Sequence, residues 1–343
     1  MKTDKVEIHH LFLILCCIYI IFSKISFFAG IVFLLSGIIF YISYNIGKKI
    51  NNINLFYRDC KKHYYIGIIL MVIGFLATVG DLIWVRDIPL FYPEVRRFLS
   101  VPLTMLSRFF IVGWAIVLSS LDIDKKRAII YTLVFSIFVM LLGYRTSVFV
   151  LLISSTLILY YKNKINNREI ILLFGIIFFI ILGLSILRFL VLGVWGNPIT
   201  SRISLTMSVY DIIYNYYNGA FSGYLLYSAI YSYLMPMISP RAAIAMYLGI
   251  KGVTITPTIV GAVIGDYGTL AIFPYFGILG IYLGYFYKIA KNLKCIYLGI
   301  FAIVSSYLLV GVESGILDFD VILYFLVGGF LCLYVTLKSK LKR

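Results

Sequence analysis

Apolar runs recur along this chain, separated by short stretches of charge. A helix that crosses a membrane needs about 20 apolar residues. On that spacing the pattern predicts ten spans, near 11–22, 27–46, 64–83, 101–121, 128–142, 147–161, 170–187, 270–287, 295–312 and 321–337. The first is short, and His9 and His10 extend it. The fifth and sixth are also short and meet at Gly143-Tyr144-Arg145-Thr146, which places Arg145 within the membrane thickness. Two more apolar runs, 220–235 and 242–264, would raise the count to twelve and leave the flanks on the same sides. The expected fold class is all-α: a polytopic membrane helix bundle of about 10 (10–12) transmembrane helices, a single membrane domain over 1–343.

One stretch departs from this pattern. Between 188 and 266 the chain is interrupted by Gly193, Gly196, Pro198, Pro236, Pro240, Gly249, Gly252 and Pro257. It also carries Arg188, Arg202, Arg241, Asp211, Asp266 and a run of tyrosines from Tyr210 to Tyr233. Irregular backbone is tolerated in membrane proteins only where it leaves the lipid or lines a protein cavity. Long segments of that kind tend to be functional. The expectation is a large irregular outer segment, 188–266, forming a polar, arginine-lined site.

Composition supports the membrane reading. The chain is 62% hydrophobic and 13% charged, with a mean hydropathy of +1.01; soluble domains carry roughly 25% charged residues. The net charge of +16 would suggest nucleic acid in a soluble protein. Here the cations sit in short loops, 48–63, 122–127, 162–169 and 288–294, and in the tail 338–343. All fall on one side if the amino terminus is inside, which is the positive-inside pattern. This predicts a multi-pass protein of the cell membrane with both termini cytoplasmic, and excludes nucleic acid as a partner. The five cysteines, Cys16, Cys17, Cys60, Cys295 and Cys332, form no CxxC or Cys/His cluster and read as small apolar residues. The first apolar run has no small-residue cleavage site after it and reads as a span, not a signal peptide.

The cations divide by type. The inner loops are rich in lysine; the outer side and the membrane instead hold Arg86, Arg96, Arg97, Arg108, Arg145, Arg188, Arg202 and Arg241. Arginine supplies a fixed fork of donors that matches phosphate bidentately. Snorkelling and pairing with Asp87 or Glu94 account equally well for the 86–97 loop. An ionisable group at a helix end within the bilayer is costly and often functional, so Arg145 and Arg188 point more strongly to a polyanion such as a lipid-linked diphosphate. Outer acids are Asp81, Asp87, Glu94, Asp211, Asp266, Glu313, Asp318 and Asp320. A glycosyl transfer needs a carboxylate to take a proton from an acceptor hydroxyl. Asp211 and Asp266, in the arginine-bearing segment, are the first catalytic candidates and Glu313 the third; each is also a candidate for simple pairing with arginine. Histidine occurs only at His9, His10 and His63, on the inner side, so no outer histidine metal site is expected. Asp318-Phe319-Asp320 has the spacing of a metal-diphosphate pair, a weak two-acid match. Tyr210, Tyr214 and Tyr217 fall at helical spacing and read either as an interfacial belt or as a sugar-stacking surface.

Three features resemble the Wzy-type oligosaccharide repeat-unit polymerases. Gly143-Tyr144-Arg145-Thr146-Ser147 leads into an apolar span and looks like that family's Gly-x-Arg-[Ser/Thr] helix start. The arginine-bearing segment 188–266 is the second. Thr256-Pro257-Thr258, Gly265-Asp266-Tyr267-Gly268 and the glycine-rich run 277–284 resemble the small-residue helix after the outer loop. An arginine followed by ten residues and a glycine, found in some members, does not occur from Arg188 or Arg202. The resemblance implies an inverting, metal-independent and cofactor-free transfer of the growing glycan from polyprenyl diphosphate to the next lipid-linked repeat unit. By resemblance, Arg145, Arg188, Arg202 and Arg241 contact the diphosphate and Asp211 or Asp266 serves the acceptor. Implied partners are the polyprenyl-diphosphate-linked oligosaccharide, membrane lipids, a chain-length regulator and a flippase. The competing readings are a lipid-linked oligosaccharide flippase or transporter, and a glycosyltransferase using a lipid-phosphate sugar donor.

Overall fold

The computed structural model describes residues 6–50, 60–192, 200–235, 237–250 and 255–340. Among these residues there is no strand. The helices are α1 Ile8–Ile21, α2 Phe27–Lys49, α3 Cys60–Val85, α4 Val101–Ser107, α5 Phe109–Ser120, α6 Lys125–Met140, α7 Arg145–Tyr161 and α8 Asn167–Leu192. They continue with α9 Thr200–Tyr216, α10 Tyr224–Tyr231, α11 Pro240–Tyr247, α12 Thr258–Tyr267, α13 Ile272–Leu293, α14 Cys295–Ser314 and α15 Phe319–Lys340. Six helical stretches are long and apolar enough to cross a membrane: α2, α3, Val101–Ser120, Thr269–Leu293, α14 and α15. The shorter α1, α7 and α12 are also apolar.

The part of 188–266 that is described is not irregular. It consists of the end of α8 and the four helices α9 to α12, joined by turns such as 217–223. Several described prolines and glycines sit at helix ends, while Gly193, Gly196, Pro198, Pro236 and Gly252 lie outside the described residues. Pro240 opens α11, Gly223 with φ 84° precedes α10, and Gly268 with φ 82° ends α12. Proline fits the first turn, where no amide donor is needed, and glycine fits the left-handed cap.

The chain forms two compact units. One comprises 52–195, 286–306 and 327–343. Its spine is the close crossing of α3 and α5. A Cβ added at Gly67 would lie 2.9 Å from the Gly113 carbonyl oxygen, and one at Gly113 2.5 Å from that of Gly67. Small residues let backbones approach where lipid offers no hydrophobic drive for association. Helix α7 is buried from Ser147 to Tyr161 except at Phe149, which is half-buried. Its Ser155 joins Thr132 of α6 in accepting from the Trp114 indole N–H of α5, at 3.1 and 3.2 Å. Lys162, the first residue of the basic 162–169 loop, donates to the carbonyls of Leu118 and Leu121 at the end of α5. Burial lowers its pKa to about 8.

The cysteine expectation is corrected here. Cys16 and Cys332 are buried, as small apolar residues should be, but Cys60 and Cys295 stand side by side with Cα atoms 5.6 Å apart. Their separation of 235 residues hides the pair from any reading of local spacing.

The other unit comprises 1–51, 196–285 and 307–326. Here α2 lies against α13. A Cβ at Gly280 would come within 2.7 Å of the Ser43 Cβ and 2.8 Å of the Phe40 carbonyl oxygen. Cβ atoms at Gly47 and Gly284 would overlap the carbonyls of Ile281 and Tyr44. Glu7 and Lys48 pair at 2.7 Å and tie α1 to the end of α2. Helices α9 to α12 share a core built on Ile213, Phe221, Leu225, Ala229, Ile244 and Ala262, which Leu317 joins.

Candidate functional site

The catalytic candidates Asp211, Asp266 and Glu313 all lie in the second unit. Among the described residues no arginine pairs with Asp81, Asp211 or Asp266; each holds the N-terminus of another helix. Asp266 is 4% exposed, and its two oxygens accept from the Leu225 and Leu226 amides at the start of α10, each at 2.9 Å. Burial raises its pKa, against the lowering effect of these amides. The amides of Gly219, Phe221 and Gly223 donate to the carbonyls of Ile264, Gly265 and Asp266 at 2.9, 2.9 and 3.2 Å. The Gly265-Asp266-Tyr267-Gly268 run thus docks the 217–223 turn onto the end of α12. Gly265 has no room for a side chain, because its Cβ would lie 2.6 Å from the Phe221 ring.

Asp211, half-buried on α9, accepts through Oδ1 from the Ser26 amide at 3.0 Å and the Ser26 hydroxyl at 2.6 Å. Asn215 donates to the same oxygen at 3.2 Å. Among the described residues no hydrogen bond reaches its Oδ2. In the first unit the fully buried Asp81 accepts from the Ser100 amide at 3.0 Å and the Thr104 hydroxyl at 2.8 Å. A helix start leaves amide donors and partial positive charge unsatisfied. Helices α2, α4 and α10 carry no acid in their first turn, so an acid from elsewhere supplies it. Nothing in the sequence singles out these three helices, because α1, α5, α6 and α7 lack a first-turn acid as well.

Glu313 on α14 is half-buried and accepts from the Tyr19 hydroxyl at 3.2 Å. Arg241 forms a bidentate pair with Asp318, at 2.7 and 2.8 Å. Asp318 is therefore engaged by a cation, and Asp320 is 2% exposed. The tyrosines separate. Tyr210 is fully buried, donates to the Ala29 carbonyl at 2.8 Å and packs on Phe33, so its ring offers no face to a ligand. Tyr214 and Tyr217 are half-buried, and Tyr217 donates to the Tyr247 carbonyl at 2.9 Å.

Arg145 belongs to the first unit, where it is the half-buried first residue of α7. The turn before it, Gly143 with φ 74°, is held by the 86–98 loop. Arg96 donates to the Gly143 carbonyl at 3.0 Å, and the Leu90 amide donates to Leu141 at 3.2 Å. Arg96, which the sequence offered for pairing with Glu94, thus shares this turn with Arg145. At the end of α3 a groove of about 330 Å³ is lined by Val79, Leu82, Ile83, Arg86, Asp87 and Ile88. Arg188 lies on α8 and Arg202 on α9; their side chains lie outside the described residues.

An added prediction arises at Asp266. Replacing it with Asn removes the charge and leaves one acceptor for two amides. An unmet buried donor costs about 1–3 kcal/mol, so Asp266→Asn should lower the thermal unfolding temperature measurably. Unchanged unfolding would show that the cap carries no weight.

A chain whose described residues are helical, with several stretches long and apolar enough to cross a membrane, defines a multi-pass integral membrane protein. The profile of the O-antigen polymerase family matches residues 5–325, and the chain belongs to that family. Membership places it among glycosyltransferase-like polymerases. It is 60% identical to an uncharacterized protein of Methanocaldococcus jannaschii over 350 residues, covering 100% of this chain and 98% of that one. No solved structure matches.

Proposed function

We propose that this protein polymerises lipid-linked oligosaccharide repeat units on the outer face of the cell membrane. The observation that carries the reading is the family match over 5–325 on a multi-pass helical chain. The growing glycan leaves polyprenyl diphosphate and joins the sugar of the next lipid-linked unit. The acceptor hydroxyl attacks the anomeric carbon as the bond to the diphosphate oxygen breaks, so one displacement inverts the configuration. A carboxylate takes the hydroxyl proton, and arginines stabilise the departing diphosphate without a metal.

Among the acids, Asp211 suits the base role best. Asp266 has both oxygens held by amides, whereas Asp211 is half-buried with Oδ2 open among the described residues. Glu313, bonded to Tyr19, is second. Arg145, Arg188 and Arg202 serve the diphosphate. Arg241 serves it by exchanging Asp318 for phosphate, because both offer oxygens to the same fork. Tyr214 and Tyr217 remain for stacking on sugar. Chain-length regulator and flippase are the partners such a polymerase works with.

The topology proposed is ten spans: the six long stretches together with α1, α6, α7 and α8, both termini inside. Helices α10 and α11, 8 residues each, are about 12 Å long and too short to cross. Epitope tags near Asn197 and Asn218 should then react on the outer surface; reaction only after permeabilisation would overturn the orientation.

Arg145→Lys and Arg188→Lys should each cost most of the polymerising activity at normal expression, because lysine keeps the charge and loses the fork. Full activity in both would remove the phosphate assignment. The reaction itself is tested with purified protein and lipid-linked repeat units. A ladder of lengths that persists in EDTA supports the proposal. Activity only with added divalent metal would favour a lipid-phosphate sugar transferase.

A further inference from the structure

We propose that Cys60 and Cys295 are a modification site: a thiol pair that closes reversibly into a disulfide and staples α3 to α14. The two Cα atoms are 5.6 Å apart, within the span of a disulfide. Cys295 is the first residue of α14, and Cys60 is the first described residue of α3. Lys61 and Lys62 follow one, and Lys294 precedes the other. Helix N-termini and nearby cations both favour the thiolate, the reactive form.

The position of Cys295 is built by the fold, not by local preference. Lys294 and Cys295 have φ of 52° and 50°, a left-handed pair that L-residues adopt only when their surroundings impose it. The Ser119 hydroxyl of α5 fixes the turn by donating to the Cys295 carbonyl at 2.6 Å. A Cβ at Gly299 of α14 would lie 3.0 Å from Ile116 Cα, so α14 presses on α5. Helix α3 presses on α5 through Gly67 and Gly113. The pair therefore joins two helices that lean on a common third.

Exposure gives the two sulfurs different parts. Cys60 is half-buried and Cys295 fully buried. The accessible Cys60 thiolate attacks a disulfide-bearing oxidant, such as oxidised glutathione, and expels one thiolate. Cys295, losing its proton, then attacks the Cys60 sulfur and expels the second. The protein gives up two electrons and two protons, and the oxidant becomes two thiols. A dithiol reductant reverses the sequence. The bond closes a loop across 235 residues and so constrains the unfolded chain.

The test uses the full chain in detergent, treated with oxidised glutathione or with a phosphine reductant, then alkylated with N-ethylmaleimide and cut by protease. After oxidation, the Cys60 and Cys295 peptides should run joined and unalkylated, and separate after reduction. The unfolding temperature should rise by several degrees on oxidation. Cys60→Ser and Cys295→Ser should abolish that rise, while Cys17→Ser should keep it. Complete alkylation of both residues after oxidation would overturn the proposal, even if neither serine variant folds. So would bonding of either to another cysteine, or a bond without the thermal shift.

Discussion

Asp211→Asn should reduce polymerisation about 100-fold or more and leave the protein folded. General-base catalysis contributes about 10²–10⁴-fold, and asparagine cannot take the acceptor's proton. The substitution is clean because asparagine keeps an oxygen at Oδ1. The hydrogen bonds from the Ser26 amide and hydroxyl to that oxygen can persist, so α2 keeps its cap. Thermal unfolding of the variant separates lost chemistry from a lost cap. Activity within a few-fold of wild type would dismiss Asp211 as the base and shift the role to Glu313. Asp211→Ala should be worse folded than Asp211→Asn, since it removes the cap as well; a lost cap costs about 0.5–2 kcal/mol.

Gly284→Leu should cost more stability than any other single change considered. No Cβ fits between α13 and the Tyr44 carbonyl, and backbone cannot yield as a side-chain tip can. Overpacking costs about 1–3 kcal/mol, occasionally more. The clash here is with main chain on a crossing that also includes Gly47 and Gly280, so the upper end is expected. The variant should extract poorly in detergent and unfold at markedly lower temperature. Gly329→Leu is the control, because nothing lies within 4 Å of a Cβ there. Equal stability of the two variants would contradict the close crossing of α2 and α13.

What the sequence made legible follows from the range of the forces involved. Membrane spans are a matter of local composition, so α2, α3, α14 and α15 fall where the apolar runs lie. The glycine run 277–284 stood out, but its partner did not: only the fold shows that it faces Phe40, Ser43 and Tyr44. The segment 188–266 looked irregular because prolines and glycines were counted as breaks within it. Those described, Pro240, Gly249 and Pro257, lie at the ends of short helices, and tertiary contacts around Phe221 and Leu225 sustain those helices. The acids were visible as residues, but their use was not. Ser26 and Asp211 are 185 positions apart, and the joining of a helix start to a distant carboxylate leaves no periodic trace. Tyr210 shared its spacing with Tyr214 and Tyr217, yet one turn of helix places it in the core and the others nearer the surface. Arg241 drew attention as a charge; its bidentate hold on Asp318 shows that the charge is already partly met.

The central claim is polymerisation at the outer face, and deletion of the gene tests it most directly. Lipid-linked glycans and surface polymer would be analysed in the deletion strain, with the leaflet of the repeat units determined. The account predicts that the polymer ladder disappears while single repeat units still reach the outer surface. Repeat units trapped on the inner leaflet would contradict it, and would make the protein a flippase with its arginines along a translocation path.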